Sequence, residues 1–174
     1  MIPRPITLEE ADAAHAAWGC NCGPGALAAI MGMSLDDVRP HMGDFESKRY
    51  TNPTLMYHAL DSVGATWKNH GRRCDWPVNG LCRIQWEGPW TQPDVPPRAA
   101  YRHTHWIAVQ HPLHSRDVGI FDINCCNNGT GWVSEADWRN VVAPHIIREC
   151  VPRGSGCWHV THHIEIASGH EGRR

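Results

Sequence analysis

Residues 21–28, with the sequence NCGPGALA, place Cys22 at the expected first turn of an apolar helix. Helix N-termini carry partial positive charge and unpaired N–H groups, which favour a thiolate over a thiol and can donate to an oxyanion. One short segment would therefore supply a nucleophile and part of an anion site. The alternative reading is that Cys22 is only a small, buried apolar residue.

His105 lies at the entrance of a predicted strand and is suited to act as a base. A nucleophilic thiol needs a base within hydrogen-bond reach, and the base needs an orienting acceptor. The next predicted strand carries Asp122 and Asn124 near its end. If a turn around residues 114–117 joins the two strands as an antiparallel pair, His105 and Asp122 become cross-strand neighbours. The predicted catalytic residues are therefore Cys22, His105 and Asp122, although His105 alone would also suit an ordinary half-buried strand position.

The order of these residues resembles that of papain-like cysteine peptidases, especially the bacterial group that cleaves double-glycine leader peptides. In that group the nucleophile opens a CGPAAL-like helix, matched here by CGPGAL at residues 22–27. The base opens a His-aromatic-aliphatic strand, matched by HWI at residues 105–107, and the orienting acid closes the following strand, matched by Asp122. The resemblance implies an α+β fold in which the N-terminal catalytic helix packs on an antiparallel sheet.

The sequence departs from this family at one oxyanion position. Papain-like enzymes usually carry a glutamine six residues before the nucleophile, and this chain has Ala16 there. Loss of one oxyanion donor typically costs about 2.7–4 kcal/mol of transition-state stabilisation. The candidate replacements are the side chains of Asn21, Trp18 and His15, beside the backbone N–H of Cys22.

Three neighbouring residues compete for the catalytic roles. Cys20 is an alternative nucleophile, although Cys22 lies closer to the Gly-Pro helix start. His103 is an alternative base, because it is expected on the same strand face two residues earlier. Asn124 is an alternative to Asp122 as the group that orients the imidazole.

Tryptophan is unusually frequent, with nine Trp against two Phe. A proline-rich segment follows Trp86 and Trp90 and leads toward His105, so it is predicted to be a loop at the edge of a cleft. Trp86, Trp90 and Trp106 are the candidates for contact with an extended peptide. The alternative is a plain surface connection with the tryptophans in the core.

The overall composition limits the possible partners. The length of 174 residues fits a single domain spanning residues 1–174. The net charge of -2, without a dense Lys/Arg stripe, argues against nucleic acid as the main partner, and Arg72-Arg73 and Arg173-Arg174 are expected to be solvated. No stretch approaches a membrane span or a signal peptide, so a cytoplasmic location without membrane association is expected.

The eight cysteines are expected to be reduced thiols in such a compartment. The C-terminal cluster of Cys150, Cys157, His159, His162 and His163 has ligand types that zinc accepts, but its spacings match no standard finger. Strand alternation would instead place His159 and His163 on one face together with Thr161. We therefore predict no metal and no cofactor.

The coarse pattern of elements is helices first and strands after, which is typical of an α+β domain. Capping signals predict helices beginning at Cys22, after Ser34, after Asn52 and after Ser134. The predicted strands lie at residues 65–68, 81–86, 105–110, 118–123 and 159–166.

Together these features predict a cysteine hydrolase that acts on a peptide, isopeptide or side-chain amide bond of a protein or peptide substrate. Two alternatives remain open at this point. A glutamine deamidase or acyl transferase would use the same triad to modify a protein. A catalytically inactive papain-like module would use a tryptophan-lined groove only for binding, and the missing glutamine at position 16 is compatible with that reading.

Overall fold

The computed structural model of the protein describes residues 4–73, 75–111 and 117–167. Its α-helical segments are, in chain order, α1 (Leu8–Trp18), α2 (Cys22–Met31), α3 (Leu35–Val38), α4 (Phe45–Lys48), α5 (Pro53–Ser62), α6 (Pro97–Ala100), α7 (Glu135–Asp137) and α8 (Ala143–Cys150). Its strands are β1 (Trp67–Asn69), β2 (Asn79–Trp86), β3 (Thr104–Gln110), β4 (Gly119–Phe121), β5 (Trp132–Ser134) and β6 (Trp158–Ile166). Short 3-10 helices at Arg39–His41, Pro89–Thr91 and Ile123–Asn128 and a π-helical turn at Trp138–Val142 complete the regular structure described.

The strands form one sheet with the order β1-β6-β2-β3-β4-β5. Every neighbouring pair in it is antiparallel. The fold is therefore α+β, as the order of helices and strands predicted. Each predicted strand is present with shifted bounds, and the short edge strand β5 was not predicted.

Both faces of the sheet are buried, each against its own core. Alternate residues of a strand point to opposite faces and therefore enter different cores. On β3, Trp106 and Ala108 pack into the core that contains α1, α2 and α5. Ile107 and Val109 pack into a second core with the π-helical turn and α8. The helix that begins at Cys22 lies directly on β3, as predicted for the catalytic helix.

The helix starts follow the capping signals in the sequence. Ser34 and Asp37 form a reciprocal capping box at α3, and the Asn52 side chain accepts from the N–H of Leu55 at the start of α5. The helix α1 was not predicted. Its start carries the same signal, since Thr7 and Glu10 also form a capping box.

The strand β6 differs from the predicted alternation. Val160 pairs with Ile84 and His162 pairs with Arg83, so the register shifts by one residue at Thr161. This bulge turns the later residues of β6 to the opposite face. The expectation that His159, Thr161 and His163 share one face is therefore wrong, because a period-two pattern cannot show an extra residue.

Some predicted features lie outside the described residues, namely Cys74, residues 114–116 of the predicted turn, and Arg173-Arg174. Within the described part of the chain, no helix is both long and apolar enough to cross a membrane.

Two glycines allow α2 to lie close to its neighbours. A Cβ atom on Gly23 would lie 2.5 Å from the Cβ of Thr51, and closer still to its Oγ1. A Cβ atom on Gly25 would lie 2.8 Å from Cδ1 of Ile123. Since Thr51 is itself buried, the position of Cys22 depends on the absence of a side chain at Gly23.

We predict that Gly23→Ala lowers the free energy of unfolding by about 1–3 kcal/mol, because overpacking must displace Thr51 or the start of α2. The measurement is urea denaturation of both proteins. Gly119→Ala is the matched control, since its Cβ would meet its nearest neighbours at 3.5 Å, an ordinary contact, and should change stability by less than about 0.5 kcal/mol. Equal losses in the two variants would contradict the packing argument.

Candidate active site

The three residues predicted to be catalytic meet at one end of β3. His105 Nε2 lies 2.9 Å from Asp122 Oδ1, and the Cys22 side chain forms a hydrogen bond with the His105 side chain. Because Nε2 is directed at Asp122, the imidazole nitrogen that remains for the thiol is Nδ1. The result is a continuous chain of side chains from a thiol through an imidazole to a carboxylate.

The strand pairing explains why this end of β3 is open to α2. The strand β4 pairs only with Ala108–Gln110 of β3, so the first half of β3 has no strand partner on that side among the described residues. The backbone N–H of Trp106 is consequently free to donate to the Cys22 sulfur. The start of α2 takes the place that a longer β4 would occupy.

Asp122 lies just after β4 and reaches back to His105. Phe121 pairs with Ala108, so Asp122 lies diagonally across from His105, and the two are cross-strand neighbours as the sequence predicted. The prediction that the two residues contact each other is confirmed by their hydrogen bond. A turn of 3-10 helix follows at once, with Asp122 as its N-cap.

The Asp122 carboxylate is completely buried and fully hydrogen-bonded. Besides His105, its Oδ1 accepts from the backbone N–H of Asn124 at 3.0 Å and from Asn124 Nδ2 at 2.9 Å. Its Oδ2 accepts from Trp138 Nε1 at 2.8 Å. The carboxylate is thus held from both sides, which fixes the oxygen that faces the imidazole.

Trp138 is the functional-site residue that the sequence reasoning missed. Trp138 follows the predicted helix start at Ser134, and nothing in its local sequence shows that its indole N–H reaches Asp122. In the structure it is completely buried at the start of the π-helical turn, between α7 and α8. Such turns interrupt the regular α-helical pattern and are frequent at functional sites.

The protonation states favour a thiolate beside an imidazolium. Burial acts to raise the pKa of Cys22, but the His105 hydrogen bond, the His105 charge and the Trp106 N–H together lower this pKa below its ordinary value. Burial acts to lower the pKa of His105, but Asp122 and Cys22 raise it to about 10. The pKa of Asp122 is lowered against the effect of burial, chiefly by His105 and then by Trp138 and Asn124.

A tryptophan covers the imidazole. The ring of Trp86 is stacked with that of His105 at a centroid distance of 6.0 Å and an angle of 26°. The Trp138 ring stacks on Trp86 in turn, at 6.2 Å and 24°. His105 is only 7% exposed as a result, so water has little access to its bond with Asp122.

A small cleft of about 280 Å³ opens above the thiol. Cys22, His105, Trp86 and Asn124 line it, which confirms the cleft position of Trp86. Its other lining residues include His15, Gly19, Cys20, Asn21, His103 and Cys150.

The other two tryptophans proposed for the cleft have different places. Trp106 is 1% exposed, belongs to the core under α2 and donates its Nε1–H to the Thr51 carbonyl. Trp90 is also buried, and its Nε1–H donates to the carbonyl of Trp86. The prediction that Trp90 and Trp106 line the cleft is therefore wrong. Trp106 supports α2 and Trp90 supports Trp86, because both indole N–H groups donate to backbone carbonyls inside the protein.

The oxyanion candidates separate into two groups. His15 and Asn21 line the cleft, whereas Trp18 is buried against Phe45 and Arg39, away from it. Asn21 Nδ2 donates to the carbonyl of Ala11 in α1, so one of its two amide hydrogens is already engaged. The N–H of Cys22 lies in the first turn of α2, where no intrahelical acceptor exists.

The structure does not give the competing residues the geometry of the triad. The Cys20 sulfur faces the carbonyl of Phe45 at 3.9 Å, and burial with the nearby Cys22 raises its pKa to about 11. His103 precedes β3 in a left-handed conformation, is exposed and packs on Trp90. Asn124 donates to Asp122 instead of accepting from the imidazole.

The remaining Cys and His residues are dispersed. Within the described residues, no group of three or more Cys, His, Asp or Glu side chains is arranged to hold a metal ion. His159 Nδ1 contacts Glu87 at 2.8 Å, and His163 Nδ1 contacts the Asp75 carbonyl at 3.1 Å. The cysteines described are free thiols.

No known family model matches the chain, and no curated protein matches it either.

We predict that Trp138→Phe lowers the free energy of unfolding by about 1–3 kcal/mol, because one buried oxygen of Asp122 loses its donor. The same change should raise the pKa of Asp122. Urea denaturation at neutral pH measures the first effect.

The matched control for that prediction is Trp132→Phe. The Nε1 of Trp132 is also buried but has no hydrogen-bond partner among the described residues, so this variant removes an indole without breaking a bond. A loss of stability as large as that of Trp138→Phe would show that ring volume, rather than the bond to Asp122, is responsible.

Proposed function

We propose that the protein is a papain-like cysteine hydrolase that cleaves a peptide, isopeptide or side-chain amide bond. The observation that supports this function is the hydrogen-bonded chain of Cys22, His105 and Asp122, together with the lowered pKa of the thiol. The position of the thiol at the start of a helix packed on an antiparallel sheet agrees with the resemblance in sequence. A cytoplasmic location and a protein or peptide substrate belong to the same proposal.

In the first half of the proposed reaction, the Cys22 thiolate attacks the carbonyl carbon of the substrate. The His105 imidazolium then transfers its proton from Nδ1 to the leaving nitrogen, the C–N bond breaks, and a thioester remains on Cys22. Asp122 keeps Nε2 protonated throughout, so Nδ1 is the nitrogen that exchanges the proton.

In the second half, neutral His105 takes a proton from a water molecule that attacks the thioester. The C–S bond breaks, the acid product leaves, and the thiolate–imidazolium pair is restored. The developing oxyanion would be stabilised by the N–H of Cys22 and by His15 or the remaining amide hydrogen of Asn21. These donors would replace the glutamine that position 16 lacks.

We predict that Cys22 reacts with iodoacetamide with a pH profile set by a pKa below the ordinary value of 9.0. The rate rises as pH rises through this pKa, because only the thiolate reacts. In His105→Ala the midpoint should move upward, since burial then acts without the imidazole. Mass spectrometry of the labelled protein reports each thiol separately.

Two controls accompany the alkylation measurement. Cys20→Ala should leave the profile of Cys22 unchanged, because Cys20 is not a partner of His105. The exposed thiol of Cys157 serves as the reference for the alkylation rate in the same molecule. Identical rates at Cys22 and Cys157 would contradict the proposed ion pair and favour a module that only binds.

We further predict a bell-shaped pH profile for turnover. Activity rises as Cys22 loses its proton and falls as His105 loses its proton, near pH 10 in the free enzyme. Incubation with a peptide mixture and mass spectrometry would show new termini with the wild type and none with Cys22→Ala. Side-chain amides converted to acids without new termini would instead assign deamidation to the same triad.

A further inference from the structure

A larger cavity of about 870 Å³ adjoins the cleft of the thiol. His103 and Thr104 line both spaces, so the two are neighbours at the entrance of β3. Three arginines, Arg49, Arg83 and Arg102, line the larger cavity, and its described lining contains no Asp or Glu. The cavity is therefore basic although the net charge of the whole chain is -2.

Arg83 is a buried, positioned charge in the wall of this cavity. It projects from the middle of the sheet and is only 6% exposed. Its Nη2 donates to Thr104 Oγ1 at 3.1 Å, and its guanidinium lies 5.5 Å from the centre of the Tyr101 ring. Its Nε is completely buried and has no hydrogen-bond partner among the described residues.

No described carboxylate balances the charge of Arg83. It forms no ion pair with a described Asp or Glu, in contrast to Arg4, Arg39 and Arg139, which all do. Its electrostatic neighbours are Tyr101, Tyr57 and the Cys22 thiol. A buried cation without a carboxylate partner is costly, so an acid from outside the chain would relieve a real penalty.

The β-bulge in β6 completes the cavity wall. The bulge places His162 directly opposite Arg83. Burial and the nearby Arg83 and Arg72 lower the pKa of His162 to about 4, so this imidazole is neutral near pH 7. His162 therefore adds a hydrogen-bonding group to the wall without competing with Arg83 for an anion.

We propose that this cavity binds a carboxylate of the peptide substrate, with Arg83 as the residue that recognises it. The planar guanidinium of arginine matches a carboxylate with paired N–H donors, and in Arg83 it is held by Thr104 and Tyr101 in the wall of the cavity. This inference rests on the proposed function, because it makes Arg83 a specificity residue beside the Cys22 nucleophile. The substrate class is then an acidic peptide, with the carboxylate on a side chain or at the C-terminus.

The test is a binding measurement that needs no turnover. In ¹⁵N-labelled protein, the Nε–Hε signal of Arg83 is followed by NMR during addition of N-acetyl-glutamate amide or N-acetyl-glutamine amide. The two probes differ only in carboxylate against carboxamide. We expect a saturable shift with the glutamate probe and an affinity at least about tenfold weaker for the glutamine probe. A second pair, N-acetyl-alanine and its amide, distinguishes a C-terminal carboxylate from a side-chain carboxylate.

Variants assign the binding to Arg83. With Tyr101 ring signals as the reporter, Arg83→Met should abolish the preference for the acid, and Arg83→Lys should retain part of it. Arg148→Met removes the same charge from an exposed position on α8 and should leave the affinity unchanged. Equal affinity of the wild type for the acid and the amide in both probe pairs would overturn the proposal even if Arg83→Met does not fold.

Alkylation of Cys22 in the same samples separates the two proposals. If Cys22 is alkylated faster than Cys157 but the acid probes bind no better than the amides, the proposed carboxylate site is wrong and the proposed hydrolase stands. If the acid probes bind better than the amides but Cys22 is alkylated at the rate of Cys157, the proposed hydrolase is wrong and the carboxylate-binding site stands.

Discussion

The bond between the buried Asp122 carboxylate and His105 is the interaction on which the site depends. A carboxylate without solvent must be fully hydrogen-bonded, and Asp122 meets this requirement through His105, Asn124 and Trp138. These partners come from β3, the 3-10 turn after β4 and the π-helical turn before α8. One buried charge thus connects three separate elements of the fold.

The unequal length of the strands makes room for the thiol. Because β4 stops at Phe121, the first residues of β3 face the start of α2, and the N–H of Trp106 reaches Cys22. A Gly at position 23 lets the helix start approach Thr51 closely enough for this contact. Backbone geometry, rather than the identity of the three side chains alone, therefore determines the environment of the thiol.

Local signals in the sequence predicted much of this arrangement. The helix at Cys22, the capping of α3 and α5, and the contact between His105 and Asp122 follow from short patterns that the structure retains. Trp138 was not predictable, because its role depends on a contact with a residue 16 positions earlier and across the sheet edge.

Other features depend on tertiary packing in the same way. The bulge at Thr161 leaves no trace in an alternating pattern, yet it brings His162 opposite Arg83. Trp106 is an aromatic residue next to His105, as expected of a cleft residue, but it lies on the strand face toward α2 and is buried there. The helix α1 was missed although its capping box is visible in the sequence.

The protonation state of His105 is the most direct test of the account. Nitrogen NMR of its ring across a pH series would show whether both nitrogens carry protons near neutral pH. We predict an imidazolium that titrates near pH 10, with Nε2 responding to Asp122→Asn and Nδ1 to Cys22→Ala. A neutral ring near pH 7 that titrates close to the ordinary value of 6.5 would contradict the thiolate–imidazolium pair.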